Sequence, residues 1–328
     1  MIAYLLLFVA SMSATLMAMP AVIRRLKAAR VGQYIQSDGP KHAGKAQTPT
    51  CAGLFIVMLS ILVLYPTGVL FTPAGGLVAL VYVAHMCIGL SDDLSKLLYR
   101  DNNLGLKVRT KFLLQTALAC AALAGMRWIM GDAMTIIHVP IGQQNVFTWD
   151  LGWLYYPFGF IVIVGASNAF NLSDGLDGLF AGLTAILCIT LAFLISYLAV
   201  YDHTGFLAVY PISIAGCLLG FLWFNAYPAS VFLGDSGSLS IGAALACIAI
   251  LTKTELLFGL MAGVYIIETV SVICQVVYFK RTGGKRLFKM APIHHHYELC
   301  GLHETKIVVR FWVLGLIFSI MSIFWVLV

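Results

Sequence analysis

Ten apolar segments succeed one another along this chain, at residues 1–22, 49–66, 74–91, 111–130, 151–170, 178–200, 206–224, 238–252, 256–279 and 307–328. A helix needs about 20 residues to cross a hydrocarbon layer of about 30 Å, and all but the short 238–252 approach or reach that length. In lipid every backbone N–H and C=O must be paired within the structure, which leaves helices as the solution for long, evenly apolar runs. Charged residues make up 10% of the 328 positions and hydrophobic ones 61%, far more apolar surface than a soluble core of this size uses. The expectation is an all-α polytopic membrane protein of about ten transmembrane helices, forming a single domain over 1–328.

Lysine and arginine orient these helices. Eighteen of the 20 basic residues fall in the loops 23–48, 92–111 and 280–310, while Arg127 and Lys253 lie on the opposite side. The bias of basic residues to the cytoplasmic side places those three loops in the cytoplasm and both termini outside. The net charge of +6 therefore belongs to membrane-flanking loops and is no sign of a nucleic-acid partner. The first segment lacks a basic stretch ahead of its apolar run, so it reads as an anchor rather than a cleaved leader. The outer loop 131–150 alternates around a polar turn at 142–145 and predicts a small outer β-hairpin. Eight scattered cysteines form no CxxC pair, which points to small buried hydrophobes rather than disulfides or zinc.

Three acidic segments interrupt this pattern, and the same topology puts all of them on the cytoplasmic face. Carboxylates at a membrane surface are costly and mark function more often than decoration. Asp92 and Asp93 follow the third segment; adjacent on a helix, they point about 100° apart and do not chelate one ion together, so one faces the site while the other orients a lysine or a backbone group. Asn168, Asn171, Asp174 and Asp177 recur at every third residue, with Gly175 and Gly178 breaking the helix, a set suited to a nucleotide, a sugar or a hard cation. Helix capping accounts for one of these polar residues, not four. Gly234-Asp235-Ser236-Gly237-Ser238 opens the eighth segment; its helix-start N–H groups suit phosphate, and Asp235 suits Mg²⁺ held between diphosphate oxygens. His294, His295 and His296 are consecutive, so one metal does not take all three from a regular helix, and hydrogen bonding to phosphate fits better. Glu268, Ser271 and Gln275 share a helix face, equally suited to packing and to substrate positioning.

Taken in order, Lys45-Ala-Gln-Thr48-Pro-Thr50, Asp92-Asp93, Gly105 to Lys111, Asn168 to Gly178, Asn225, Phe232 to Gly237 and Ala291-Pro-Ile-His-His-His-Tyr-Glu298 resemble the polyprenyl-phosphate N-acetylhexosamine-1-phosphate transferase superfamily. The Pro-Ile-His-His-His order is similar to the branch whose donor is UDP-N-acetylmuramoyl-pentapeptide, whereas N-acetylglucosamine-phosphate enzymes typically carry His-x-His-His. Cys51-Ala52 stands where Met-Gly is usual. The resemblance implies transfer of the phosphosugar to undecaprenyl phosphate at the cytoplasmic face of the bacterial plasma membrane, with Mg²⁺ as the ion and homodimers among relatives. Asp92, Asp93, Asp235, His294 and Lys111 would carry the chemistry. Lys45, Thr50, Asn168, Asn171, Asp174, Asp177, Asn225, Phe232, Gly234, Gln275, His295 and His296 would bind substrate, with Phe232 offering a stacking face to uracil. A UDP-N-acetylglucosamine transferase is the rival within the class. A transporter is the rival outside it, and that predicts two repeated halves with broken helices, which are not visible here.

Overall fold

The computed structural model describes residues 2–29, 32, 48–99, 105–141, 145–198 and 204–328. Helices carry nearly all of the described chain. In order they are α1 Ile2–Ala28, α2 Ala52–Leu64, α3 Pro73–Tyr99 and α4 Val108–Met130, then the strands β1 Ile136–Ile141 and β2 Asn145–Asp150. There follow α5 Tyr155–Leu172, α6 Leu179–Leu198, α7 Val209–Asn225, α8 Asp235–Leu251, α9 Glu255–Met261, α10 Gly263–Arg281, α11 Ile293–Leu299 and α12 Glu304–Leu327. Among the described residues, eight helical segments are long and apolar enough to cross a membrane, and the apolar stretches of α2 and α8 are shorter. The chain is a multi-pass membrane protein.

The hairpin is present: β1 pairs antiparallel with β2, from Ile136 opposite Asp150 to Ile141 opposite Asn145. The expected 142–144 part of its turn lies outside the described residues.

Helix α8 is the centre of the bundle. Every residue from Ser236 to Leu251 is buried, and α3, α5 and α2 pack around it. Its small residues (Gly237, Ser238, Ser240, Gly242, Ala243, Ala244, Ala246, Ala249) let neighbouring backbones come close, which is how helices associate where no hydrophobic drive separates them from lipid. At 17 residues it is only about 26 Å long, short because it is wrapped by protein rather than by lipid. Conversely α1, α4, α10 and α12 expose large apolar side chains such as Leu6, Phe112, Ile273 and Phe324, as an acyl-chain environment requires.

Three expectations change. The apolar stretch 256–279 is two helices, α9 and α10, which meet at Ala262. Hydropathy sees no break in Gly259-Leu-Met-Ala-Gly263 because every residue there is small or apolar. Asp92 and Asp93 do not follow the third helix but lie inside α3, which runs on to Tyr99. Of the eight cysteines, all unpaired, four are buried, while Cys87, Cys120, Cys274 and Cys300 are exposed.

Candidate functional site

The C-terminal part of α3, the C-terminal end of α5 and the start of α8 meet at one end of the bundle, and each brings a carboxylate or an amide. α3 continues through two aspartates because each has a partner. Asp92 Oδ2 accepts from Lys96 Nζ at 2.6 Å, one helical turn on, and Asp92 Oδ1 accepts the Leu106 N–H at 2.7 Å. Asp93 accepts the backbone N–H groups of Asp235 and Ser236, both at 3.0 Å. The first N–H groups of α8, expected to be free for phosphate, are thus already capped by a carboxylate from another helix. Gly234 makes this cap possible: its φ is +81°, and a methyl there would stand 2.7 Å from Asp93 Oδ2. Thr50 Oγ1 stands beside the same glycine, 3.2 Å from that methyl position.

Asp235 is the convergence point. Its Oδ2 accepts from Lys111 Nζ at 2.7 Å and from Lys96 Nζ at 3.1 Å, and its Oδ1 accepts from Asn171 Nδ2 at 2.9 Å. Lys111 also lies 3.7 Å from Asp92, so two ammonium groups bridge two carboxylates. Asp174 faces the same cluster. Burial, then the charges of Asp235 and Asp93, push its carboxyl up to about 8, although the Gly234 N–H pulls the other way. With Asp174 protonated near neutral pH, three carboxylates still face two ammonium groups, which leaves the pocket short of positive charge.

That shortage bears on the implied cation. Among the described residues no three His, Cys, Asp or Glu side chains converge as a ready-made cage. A hard ion that keeps several waters and takes substrate phosphate oxygens needs only one or two carboxylates. Asp235, with Asp92 across the shared lysines, fits that demand, whereas Asp93 is spent on the α8 backbone.

The remaining predicted residues divide. Asp177 Oδ2 accepts the Ala229 N–H at 2.9 Å, and Asn225 ties the Gly178 N–H (3.1 Å) to the Val231 carbonyl (2.9 Å). Together they fix the 226–234 loop against the 174–178 turn. Phe232 is anchored through its backbone, donating to the Pro49 carbonyl at 2.7 Å, with its ring half-buried. Asn168 turns toward α4, donating to Gln115 Oε1 at 3.0 Å. Gln275 holds the segment after α10: its Oε1 accepts the N–H groups of Leu287 and Phe288 at 3.0 and 2.9 Å. His294 is fully buried with Nδ1 3.0 Å from Glu268 Oε2. His295 Nδ1 lies 3.0 Å from Glu298 Oε2, and His296 Nδ1 accepts the Lys289 N–H at 3.1 Å. Lys45 lies outside the described residues.

Sequence reasoning passed over Lys96 and Glu304 as site residues. Lys96 was legible as the i+4 partner of Asp92. Glu304, whose Oε1 accepts the Asp177 N–H at 2.7 Å, had no local signal, because its contact spans 127 residues.

Comparison with known proteins gives a consistent result. Residues 76–253 match the family model of glycosyl transferase family 4. The chain is 43% identical over 326 residues to the phospho-N-acetylmuramoyl-pentapeptide-transferase of Aquifex aeolicus, covering 94% of this chain and 88% of that protein. The proteins of the same name from Oleidesulfovibrio alaskensis (42% over 317 residues, covering 93% and 87%) and Shouchella clausii (42% over 324 residues, covering 98% and 96%) are equally similar.

Proposed function

We infer the activity from family: the chain belongs to glycosyl transferase family 4 and, within it, to the phospho-N-acetylmuramoyl-pentapeptide transferases. It is an enzyme that transfers phospho-N-acetylmuramoyl-pentapeptide from the UDP-linked donor to undecaprenyl phosphate, giving lipid I and UMP in peptidoglycan synthesis. The observation that carries this reading into the site is the convergence of Asp92, Asp235, Lys96 and Lys111 at one end of α8.

A lipid phosphate oxygen attacks the sugar-linked phosphorus of a diphosphate, so two anions must be brought together. Lys96 and Lys111 supply positive charge where they meet. Mg²⁺, held by Asp235 with Asp92 nearby, would neutralise the diphosphate and stabilise the departing UMP. A phosphate monoester has a second pKa of about 6 and is mostly dianionic near neutral pH. Proton removal therefore contributes little, and Asp92 positions the acceptor. Asn171 fixes the Asp235 carboxylate, and Asp93 fixes the backbone that carries it. The half-buried ring of Phe232 offers uracil a stacking face, on a loop held by Asp177 and Asn225. The basic loops set the site at the cytoplasmic face, with both termini outside, where they also draw in anionic substrate.

The test is UMP release by purified protein in detergent with undecaprenyl phosphate. Release from UDP-N-acetylmuramoyl-pentapeptide, abolished by EDTA and restored by Mg²⁺, is expected. Release from UDP-N-acetylglucosamine instead would overturn the donor assignment, and EDTA-resistant release would overturn the metal. Near-complete survival of activity in Asp92→Asn would remove that residue from the mechanism.

A further inference from the structure

Glu268 and His294 form a pair with no exposed surface at all. They come from different elements: Glu268 from α10 and His294 from the short α11. The Nδ1–Oε2 distance of 3.0 Å uses one atom of each. The other atom of each, His294 Nε2 and Glu268 Oε1, has no partner among the described residues. Buried polar groups are normally satisfied, so a pair left half-open is poor as a fastener.

The open nitrogen has a direction. A methyl built on Gly175 would collide with His294 Nε2, so the ring edge is pressed against the turn that carries Asp174. Gly175 does not have a positive φ; it is the close approach of the ring, not backbone conformation, that requires glycine there. The neighbouring His295 pairs within its own helix, with Glu298, and so differs from the cross-helix pair. A carboxylate accepts a hydrogen bond from Nδ1–H whether the ring is neutral or cationic. The nitrogen left to meet another molecule is then always Nε2.

We propose that Glu268 is a positioning residue: it fixes the rotamer and tautomer of His294 with the proton on Nδ1, so that Nε2 alone faces the 174–178 turn and accepts there a hydrogen bond, tightened in the transition state, from a hydroxyl or amide N–H of the donor. This rests on the transferase reading for its substrate but not for its geometry. Glu268→Gln keeps the shape and removes the charge, and its amide can donate to Nδ1 and drive the proton to Nε2. Partners that orient an imidazole in this way are worth about 10- to 100-fold in activity.

The experiment combines kinetics with ¹⁵N spectra of histidine-labelled protein, the His294 signal being assigned by its loss in His294→Gln. The wild type is expected to carry the ring proton on Nδ1. Glu268→Gln should shift it toward Nε2 and lower kcat for UMP release by about 10- to 100-fold, with KM for the donor within about two-fold, a split that mere loosening of the fold would not produce. Gly175→Ala should lower kcat while leaving the proton on Nδ1. A wild-type ring with its proton on Nε2 overturns the proposal without any variant, as does a Glu268→Gln protein with unchanged kcat. If the wild type releases no UMP, the transferase reading fails, yet the spectra still decide whether Glu268 sets the tautomer.

Discussion

At its first residue α8 presents Asp235 to Asp92, Asp93 and Asp174, with Lys96 and Lys111 as the balancing charges. Just past its last residue the helix is flanked by Lys253, Glu255 and Tyr155. Lys253 Nζ donates to the Met134 carbonyl at 2.6 Å and to Tyr155 Oη at 3.4 Å. Tyr155 Oη donates to Glu255 Oε1 at 2.9 Å. Burial pushes Glu255 up to about 7, with Lys253 and Tyr155 opposing. Both ends bury ions beside one helix. The far end has one ammonium and one carboxylate joined through a phenol; Glu255 Oε2 has no hydrogen-bond partner among the described residues, but the charges balance and the group clamps the segment before the hairpin to the bundle. The near end carries surplus negative charge and donors shared between acids, and it is therefore able to take up something from outside. Charge balance, rather than the presence of charge, separates a site from a clamp.

The comparison can be broken most sharply at Asp235. Asp235→Asn should cut UMP release by about 10²- to 10³-fold while leaving the thermal midpoint near the wild-type value; an active variant would remove the near end from the chemistry. Lys253→Met should do the reverse. It leaves Glu255 uncompensated, a loss of about 3 kcal/mol visible as a lower thermal midpoint, with kcat of the folded enzyme unchanged. A selective fall in kcat would show that the clamp is part of the site. Phe232→Ala should weaken UDP binding by about 10-fold, within the 1–3 kcal/mol of a base-stacking contact, and calorimetry showing unchanged affinity would refute the stacking face.

The smallest effect is in pH. Asp174 at about 8 and Glu255 at about 7 both hold protons when folded that they would shed above about pH 4 when unfolded. Each therefore contributes stability that is present in acid and is lost as pH rises through its folded value. The thermal midpoint of Mg²⁺-free protein should fall from about pH 4 to about pH 8, most steeply below about pH 7 where both groups contribute. Asp174→Asn should remove the fall above about pH 7 together with part of the fall below it, Glu255→Gln should remove only part of the fall below about pH 7, and added Mg²⁺ should flatten only the Asp174 part. A midpoint that does not vary with pH would contradict the charge imbalance on which the comparison rests.

Much of this was legible in the residues. Long apolar runs gave the helices, and alternation around a polar turn gave the hairpin, because both signals are local. Acids at the ends of apolar runs located the cluster at Asp92, Asp174 and Asp235. What sequence hid was which groups are already engaged. Sequence leaves open which of Asp92 and Asp93 faces the site and which orients a lysine or a backbone group; that is settled when α8 docks 142 residues away and Asp93 caps it. Gln275 reads as a pocket amide until the loop at Leu287–Phe288 folds back onto it. The end of α3 was misplaced because hydropathy drops at Asp92 and Asp93, while the Asp92–Lys96 pair lets the helix run through. Spacing shows which residues share a face; partner choice between distant elements is settled by packing.

The cap that Asp93 places on α8 also bears on inhibitor design. A compound built to dock an anionic tail on the start of that helix would have to displace a carboxylate already bonded to two N–H groups, and would gain little over it. Affinity is better sought from groups that engage the Lys96 and Lys111 ammonium ions, or that offer a hydrogen-bonding atom to the open edge of His294.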